Sequence, residues 1–232
     1  MVPPRIRPYA TFTLILVNVV VYVAVEWARI HKPFPVQWYF ALHLEGLRHG
    51  YWWQLLTFQF LHAPLRNAFS ATSISLLDFP WHLLLNCWGM FMFGPPLERT
   101  LGRTRLAVLY LVSGVAGGAL QIFASVLSYE RFGGPVVGAS AGVFGLVAGF
   151  TQLFPDARMT VLLFFVVPVR MTANRMLTVA ALLTVLGIIY PNWVLGEHVA
   201  HVAHLGGLIA GIIVVRLFMW RLRKSYRRPA IG

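Results

Sequence analysis

Residues 137–154 read VGASAGVFGLVAGFTQLF, an apolar run of eighteen residues without a charged side chain. A helix over this run is about 27 Å long, close to the ~30 Å hydrocarbon thickness of a bilayer. The run therefore predicts a membrane-spanning helix with Ser140 near its start. Glycines recur along the run at steps of three and four residues, which places them on one helix face. They are Gly138, Gly142, Gly145 and Gly149.

A second run, VAHVAHLGGLIAGIIVVRLFMW over 199–220, has the same character. His204 stands near its start, and Gly207 and Gly211 follow at a four-residue spacing. Helices in lipid associate through small residues that let their backbones approach closely. We therefore expect these two runs to pack against each other through their glycines.

The composition places the whole chain in a lipid bilayer. Hydrophobic residues make up 58% of the chain, charged residues only 11%, and the mean hydropathy is +0.71. That leaves too little polar surface to cover a water-soluble domain. The net charge of +12 comes from cations at the edges of apolar runs, so membrane topology explains it and no nucleic-acid partner is expected. The single cysteine, Cys87, has no partner for an internal disulfide.

Six apolar runs approach the length of a transmembrane helix. They are 11–28, 81–97, 104–127, 137–154, 174–190 and 199–220. The apolar residues 159–169 reach only about 16 Å as a helix, so we expect an interfacial or re-entrant piece there. The sequence thus predicts an all-α membrane protein with one domain over 1–232. Its fold is a six-transmembrane-helix bundle.

The loop between helices 1 and 2, residues 29–79, is unlike the short connections elsewhere. It is rich in Trp, Tyr and Phe, which settle at the level of the lipid headgroups. We expect this long outer loop to lie in the interface as short amphipathic helices.

The positive charges predict the orientation. Fourteen of the nineteen Lys and Arg residues fall at the N-terminus, in 97–105, in 155–175 and from Arg216 onward. Cationic regions face the cytoplasm, which predicts cytoplasmic N- and C-termini in a plasma (cell inner) membrane. Helices two, four and six then run from outside to inside. His82, Ser140 and His204 therefore share one depth near the outer surface.

A serine and a histidine at one depth suggest hydrolytic chemistry. A serine hydroxyl needs a neutral imidazole to remove its proton, and His204 is the candidate base for Ser140. The nearest acid, Glu197, lies two turns before His204, which favours a dyad over a triad. The oxyanion can meet the Ser140 N–H at the helix start, and His82 and Asn86, spaced i and i+4, can add donors.

These motifs resemble the rhomboid family of intramembrane serine proteases. The serine has the form G-x-S-x and His204 the form A-H-x-x-G. Upstream, 50–62 (GYWWQLLTFQFLH), 82–86 (HLLLN) and 93–102 (FGPPLERTLG) resemble the family's other landmarks in the same order. Two features depart from the family pattern: Gln54 stands where arginine is usual, and 63–79 looks like an insertion.

The resemblance implies a serine endopeptidase that hydrolyses peptide bonds in or next to transmembrane segments of membrane proteins. Its catalytic residues are Ser140 and His204, and His82 and Asn86 match the family's oxyanion positions. The resemblance implies no cofactor.

Simpler roles exist for each residue. A serine near a helix start is commonly an N-cap or a small packing residue, and His82 with Asn86 can form an interhelical clasp. A metal site from His198, His201 and His204 lacks acidic ligands, so no metal is expected. We interpret His201 as facing a water-filled mouth above the dyad.

Two other functions remain open from the sequence. The alternative within the family is a catalytically inactive rhomboid-like protein that binds transmembrane segments without cutting them. The other is a small transporter or channel, which needs paired intramembrane charges or inverted repeats; neither is visible in the sequence.

Overall fold

The computed structural model describes residues 7–31, 34–64, 80–163, 167–190 and 199–226. The described chain is mostly helical. In order it forms α1 (Tyr9–His31), α2 (Val36–Phe40), α3 (Leu44–Arg48), α4 (Gln54–Thr57), a 3₁₀ turn (Phe58–Phe60), α5 (Trp81–Leu101), α6 (Arg103–Leu127), α7 (Tyr129–Phe132), α8 (Ser140–Leu153), β1 (Arg158–Leu163), β2 (Val167–Thr172), α9 (Ala173–Ile189) and α10 (His201–Tyr226). Most of the suggested insertion, together with Glu197 and His198, lies outside the described residues.

Within the described ranges, three helices are long and apolar enough to cross a membrane: α1, α6 and the 201–224 part of α10. The other three predicted spans coincide with α5, α8 and α9. Of these, α5 has 21 residues and carries Glu98 and Arg99 near its end, whereas α8 and α9 are apolar but have only 14 and 17 residues. The six-span count therefore stays a prediction.

The predicted helix over 137–154 is too long at its start. Helix α8 begins only at Ser140, because Gly138 has φ 130°, a left-handed backbone that a helix does not contain. Fourteen helical residues reach about 21 Å, less than the bilayer core. Ser140 therefore lies at the first turn of a short helix.

Helix α8 is held between α6 and α10. A Cβ at Gly207 or Gly211 of α10 would run into the backbone of α8, at the carbonyl oxygen of Ala141 and, 2.5 Å away, that of Gly145. These two α10 glycines therefore bring the backbones of α8 and α10 together.

The glycines of α8 face both neighbouring helices: Gly145 lies against Gly211 of α10, and the α8 glycines also contact α6. A Cβ at Gly142 would come within 2.7 Å of the Tyr110 ring of α6, and one at Gly145 would meet the Ser113 side chain of α6. Gly149 faces both α6 and α10. Gly138 precedes the helix and takes no part in this contact.

Residues 158–163 and 167–172 form two paired β-strands where an interfacial or re-entrant piece is predicted. Strands β1 and β2 pair antiparallel, with Arg158 opposite Thr172. The two strands hydrogen-bond to each other, so this segment pairs backbone groups without forming a helix. The strand pair lies between α8 and α9.

The loop after α1 is tied to the segment that leads into α8. Leu42 and Val136 exchange two backbone hydrogen bonds, of 2.9 and 2.8 Å, and the Gly138 N–H donates to the Phe58 carbonyl at 2.9 Å. Inside the loop, the buried Gln54 donates to the Trp38 carbonyl at 2.8 Å. The residue that departs from the family pattern therefore holds the loop helices together.

A buried carboxylate anchors α1. Glu98 of α5 is fully buried and accepts hydrogen bonds from the Ala10 N–H at 2.9 Å, the Thr11 N–H at 2.8 Å and the Thr11 hydroxyl at 2.7 Å. The first amides of a helix have no carbonyl partners, and the helix dipole favours a negative charge there. Glu98 thus caps α1 from a neighbouring helix.

We expect Glu98→Ala to lower the free energy of unfolding by at least about 2 kcal/mol, because it leaves buried donors without an acceptor. Unfolding in SDS, followed by circular dichroism, measures the change. Glu45→Ala is the control: Glu45 pairs with Arg48 at 2.6 Å on the protein surface, and such pairs contribute about 1 kcal/mol or less. Equal losses in the two variants would contradict the capping role.

Candidate active site

Ser140 and His204 meet where α8 and α10 begin. Ser140 is the first residue of α8, His204 lies in the first turn of α10, and Ser140 Oγ is 2.7 Å from His204 Nε2. The hydroxyl can donate to Nε2 when the imidazole is neutral. The Gly207–Ala141 contact lies one turn or less from both residues, so the approach of the two backbones sets this distance.

An aromatic ring fixes the plane of the imidazole. Phe144, one turn after Ser140, stacks on His204 with ring centroids 4.3 Å apart and an 8° angle between the planes. In the part of the chain that the structure describes, no carboxylate is hydrogen-bonded to His204. Sequence reasoning missed Phe144, although its i+4 spacing from Ser140 already placed it on the same helix face.

His82 faces the same space from α5. A Cβ at Gly138 would lie 2.7 Å from His82 Nε2 and 3.6 Å from Ser140 Oγ, so Gly138 separates the two side chains. Any other residue there would fill this gap and would also have to adopt φ 130°. The gap is bordered by His82 Nε2 on one side and by Ser140 Oγ on the other.

Asn86 stands one turn further along α5. Its side chain is buried, and Nδ2 donates to the His82 carbonyl at 2.7 Å. An amide nitrogen has two hydrogens, so this bond leaves one for another acceptor. The structure therefore places the His82 and Asn86 side chains one turn apart on the same helix.

The loop end reaches His82 on its other side. The Ala63 N–H donates to His82 Nδ1 at 3.1 Å, and the His62 ring packs edge-on against the His82 ring with centroids 5.2 Å apart. Burial, and secondarily the nearby His82, lowers the pKa of His62 to about 3. His62 is therefore neutral at physiological pH. The sequence analysis gives Ala63 no role and includes His62 only as the last residue of the 50–62 segment.

The structure corrects the interpretation of His201. Its side chain is only 5% exposed and packs on Gly187 of α9, with its ring edge-on to His204 at 6.1 Å. His201 is thus buried between α9 and α10 and does not line an open mouth. Among the described residues, no group of three or more His, Cys, Asp or Glu side chains could hold a metal ion.

The model of the rhomboid domain matches residues 49–221, which include every side chain of this site. The chain belongs to the rhomboid family. It is 28% identical over 183 residues to the putative rhomboid protease YdcA of Bacillus subtilis, covering 78% of this chain and 74% of that protein. It is 30% identical over 148 residues to the mitochondrial rhomboid protein 1 of Saccharomyces cerevisiae, covering 64% of this chain and 40% of the yeast protein.

A plant relative matches almost the full length of this chain. The chloroplastic rhomboid-like protein 11 of Arabidopsis thaliana is 28% identical over 224 residues, which are 95% of this chain and 68% of the plant protein. Rhomboid relatives thus include proteins named for mitochondria and for chloroplasts. The chain covers less than half of the yeast protein and about two thirds or more of the other two.

We expect Ser140 of this rhomboid to react with a fluorophosphonate probe. Gly138→Ala should slow this reaction by at least about 10²-fold, because the new methyl group displaces His82 or Ser140. The mass of the labelled protein measures the adduct. Gly134→Ala is the matched control, since a Cβ at Gly134 meets nothing within 4 Å. Wild-type labelling of Gly138→Ala would show that the gap is not needed.

Proposed function

We propose that this rhomboid is an intramembrane serine endopeptidase that hydrolyses peptide bonds in or next to transmembrane segments of other membrane proteins. The observation that carries the proposal is the 2.7 Å contact between Ser140 Oγ and His204 Nε2, made by two apolar helices. Oxygen and nitrogen at this distance allow direct proton transfer from nucleophile to base.

The reaction follows from the positions of the side chains. Ser140 Oγ attacks the scissile carbonyl carbon while His204 Nε2 takes the hydroxyl proton. His204 then gives this proton to the leaving amine, and the C–N bond breaks to leave an acyl-enzyme. Water attacks the ester with His204 again as base, which frees the new carboxyl group and restores Ser140.

The negative charge on the attacked oxygen needs donors. We assign this role to the Ser140 N–H, which opens α8, to His82 Nε2–H and to the Asn86 amide. Ser140 and His204 are thus the catalytic pair, with His82 and Asn86 as oxyanion donors. The stacked Phe144 ring supplies the orientation that a triad acid supplies elsewhere.

The short helix α8 favours an active site below the membrane surface. Its 14 residues do not need to cross the full bilayer if Ser140 lies at the base of an opening to the outer side. Water then reaches the dyad from outside, and the substrate enters laterally. A substrate segment must expose an extended peptide bond, so helix-destabilising residues near the cut favour cleavage.

The proposed architecture is one rhomboid-like membrane domain over 1–232. Helices α1, α5, α6, α8, α9 and α10 form six spans, and the described part of the loop between α1 and α5 lies at the outer interface. We place the N- and C-termini at the cytoplasmic face of a plasma membrane. The orientation follows from the positive charges, because fourteen of the nineteen Lys and Arg residues lie in the segments assigned to the cytoplasmic side.

A cysteine at the exposed Glu130 in a Cys87→Ala background should react with an impermeant maleimide in intact cells. A cysteine at the exposed Thr104 should react only after permeabilisation. These two positions lie at opposite ends of α6 in the proposed topology. The reverse labelling pattern would overturn the proposed orientation.

We expect wild-type protein in liposomes to cleave a single-span model substrate with Gly and Pro near its outer end, and Ser140→Ala to abolish cleavage. The products, resolved by mass spectrometry, locate the cut. Ser128→Ala, at the end of α6, is the control serine and should cleave normally. A wild-type protein that binds the substrate and takes no serine probe would support the inactive rhomboid-like alternative.

A further inference from the structure

The imidazole of His82 is held by a backbone amide of the loop. The Ala63 N–H donates to His82 Nδ1 at 3.1 Å. An N–H can donate only to a ring nitrogen that carries no proton, so the proton of the neutral ring lies on Nε2. This single bond therefore selects one of the two neutral tautomers, and it disfavours the doubly protonated ring.

The selected tautomer directs its N–H toward the serine. Nε2 is the His82 atom nearest to the position of a Cβ at Gly138, 2.7 Å away, and Ser140 Oγ is 3.6 Å from that position. An Nε2–H donor therefore faces the gap above the nucleophile. In the other tautomer Nε2 would be an acceptor, and it would repel an oxyanion.

We propose that the Ala63 amide is a positioning group, which holds His82 in the Nε2–H tautomer so that it can donate to the oxyanion. This inference rests on the proposed protease function. Ala63 touches no reacting atom and acts only through His82. The backbone of the loop end thereby determines which ring nitrogen of His82 carries the proton.

His62 packs against one side of the His82 ring. Its ring packs edge-on against His82 at 5.2 Å, and Tyr22 of α1 packs edge-on against His62 at 6.4 Å. His62 is buried, so its ring covers this side of His82. Water is both donor and acceptor, and its access to Nδ1 would allow either tautomer.

The same short loop segment holds both sides of the gap. The Phe58 carbonyl accepts from the Gly138 N–H at 2.9 Å, and five residues later Ala63 holds His82. Phe58 is buried, with its ring 2.8 Å from the Cβ position of Gly118 on α6. Residues 58–63 therefore connect a buried anchor to Gly138 and to His82.

The first test replaces the amide. Ala63→Pro removes the N–H, and we expect kcat to fall about 10- to 100-fold while KM stays within about threefold. His82→Ala removes the oxyanion donor itself, and we expect this variant to lose more, roughly 10²–10³-fold in kcat. Ala63→Gly keeps the N–H and is the matched control, with kcat within about threefold of wild type. In the His82→Ala background, Ala63→Pro should cost nothing further.

Equal kcat in Ala63→Pro and Ala63→Gly, or additive losses with His82→Ala, would overturn the positioning role. The proposed function fails in a different way. It fails if wild-type protein cleaves no substrate, or if Ser140→Ala still cleaves. A slow His82→Ala variant beside a normal Ala63→Pro variant leaves the protease proposal standing and removes only this inference.

The second test needs no loop variant and therefore does not depend on whether Ala63→Pro folds. The nitrogen-15 spectrum of histidine-labelled wild-type protein, with the His82 signals assigned by their loss in His82→Ala, reports the tautomer. We expect a protonated Nε2 and an unprotonated Nδ1. A protonated Nδ1 would overturn the inference directly, because it has no lone pair to accept from Ala63.

Discussion

The close contact between the backbones of α8 and α10 is the constraint on which the site depends. Gly207 and Gly211 leave no room for a side chain beside the carbonyl oxygens of Ala141 and Gly145. In lipid, burial of apolar surface does not drive two helices together, so such contacts must come from packing of small residues. Any Cβ at these positions would separate the helices, and the 2.7 Å distance between Ser140 and His204 would be lost.

The second constraint is the fixed end of the loop. The Leu42–Val136 pair and the bond from Gly138 to Phe58 hold the segment before α8 in a non-helical path. Gly138 can follow it because glycine tolerates φ 130°. The result is a short helix whose first residue is the proposed nucleophile, with a gap between that residue and His82. This backbone geometry leaves the gap in which we propose that a substrate carbonyl sits.

Much of this arrangement could be predicted from the sequence. The apolar runs predict the positions of the long helices. The glycines around Ser140 and the A-H-x-x-G motif of His204 indicate the two residues that the structure brings together. What could not be predicted depends on tertiary contacts. The start of α8 at Ser140 follows from hydrogen bonds between distant segments, and Phe144 and Ala63 gain their roles only from what they touch. The paired strands at 158–163 and 167–172 were missed because a short apolar run fits a strand and a helix equally well.

The central claim is that Ser140 and His204 act as one unit, and a double-mutant cycle measures it most directly. Initial rates of cleavage in liposomes are compared for Ser140→Ala, His204→Ala and the variant with both changes. When two residues act on one transition state, removing either costs about as much as removing both. We expect the same residual rate for all three variants. A further loss in the double variant, equal to the product of the single losses, would show two independent residues and would contradict the dyad.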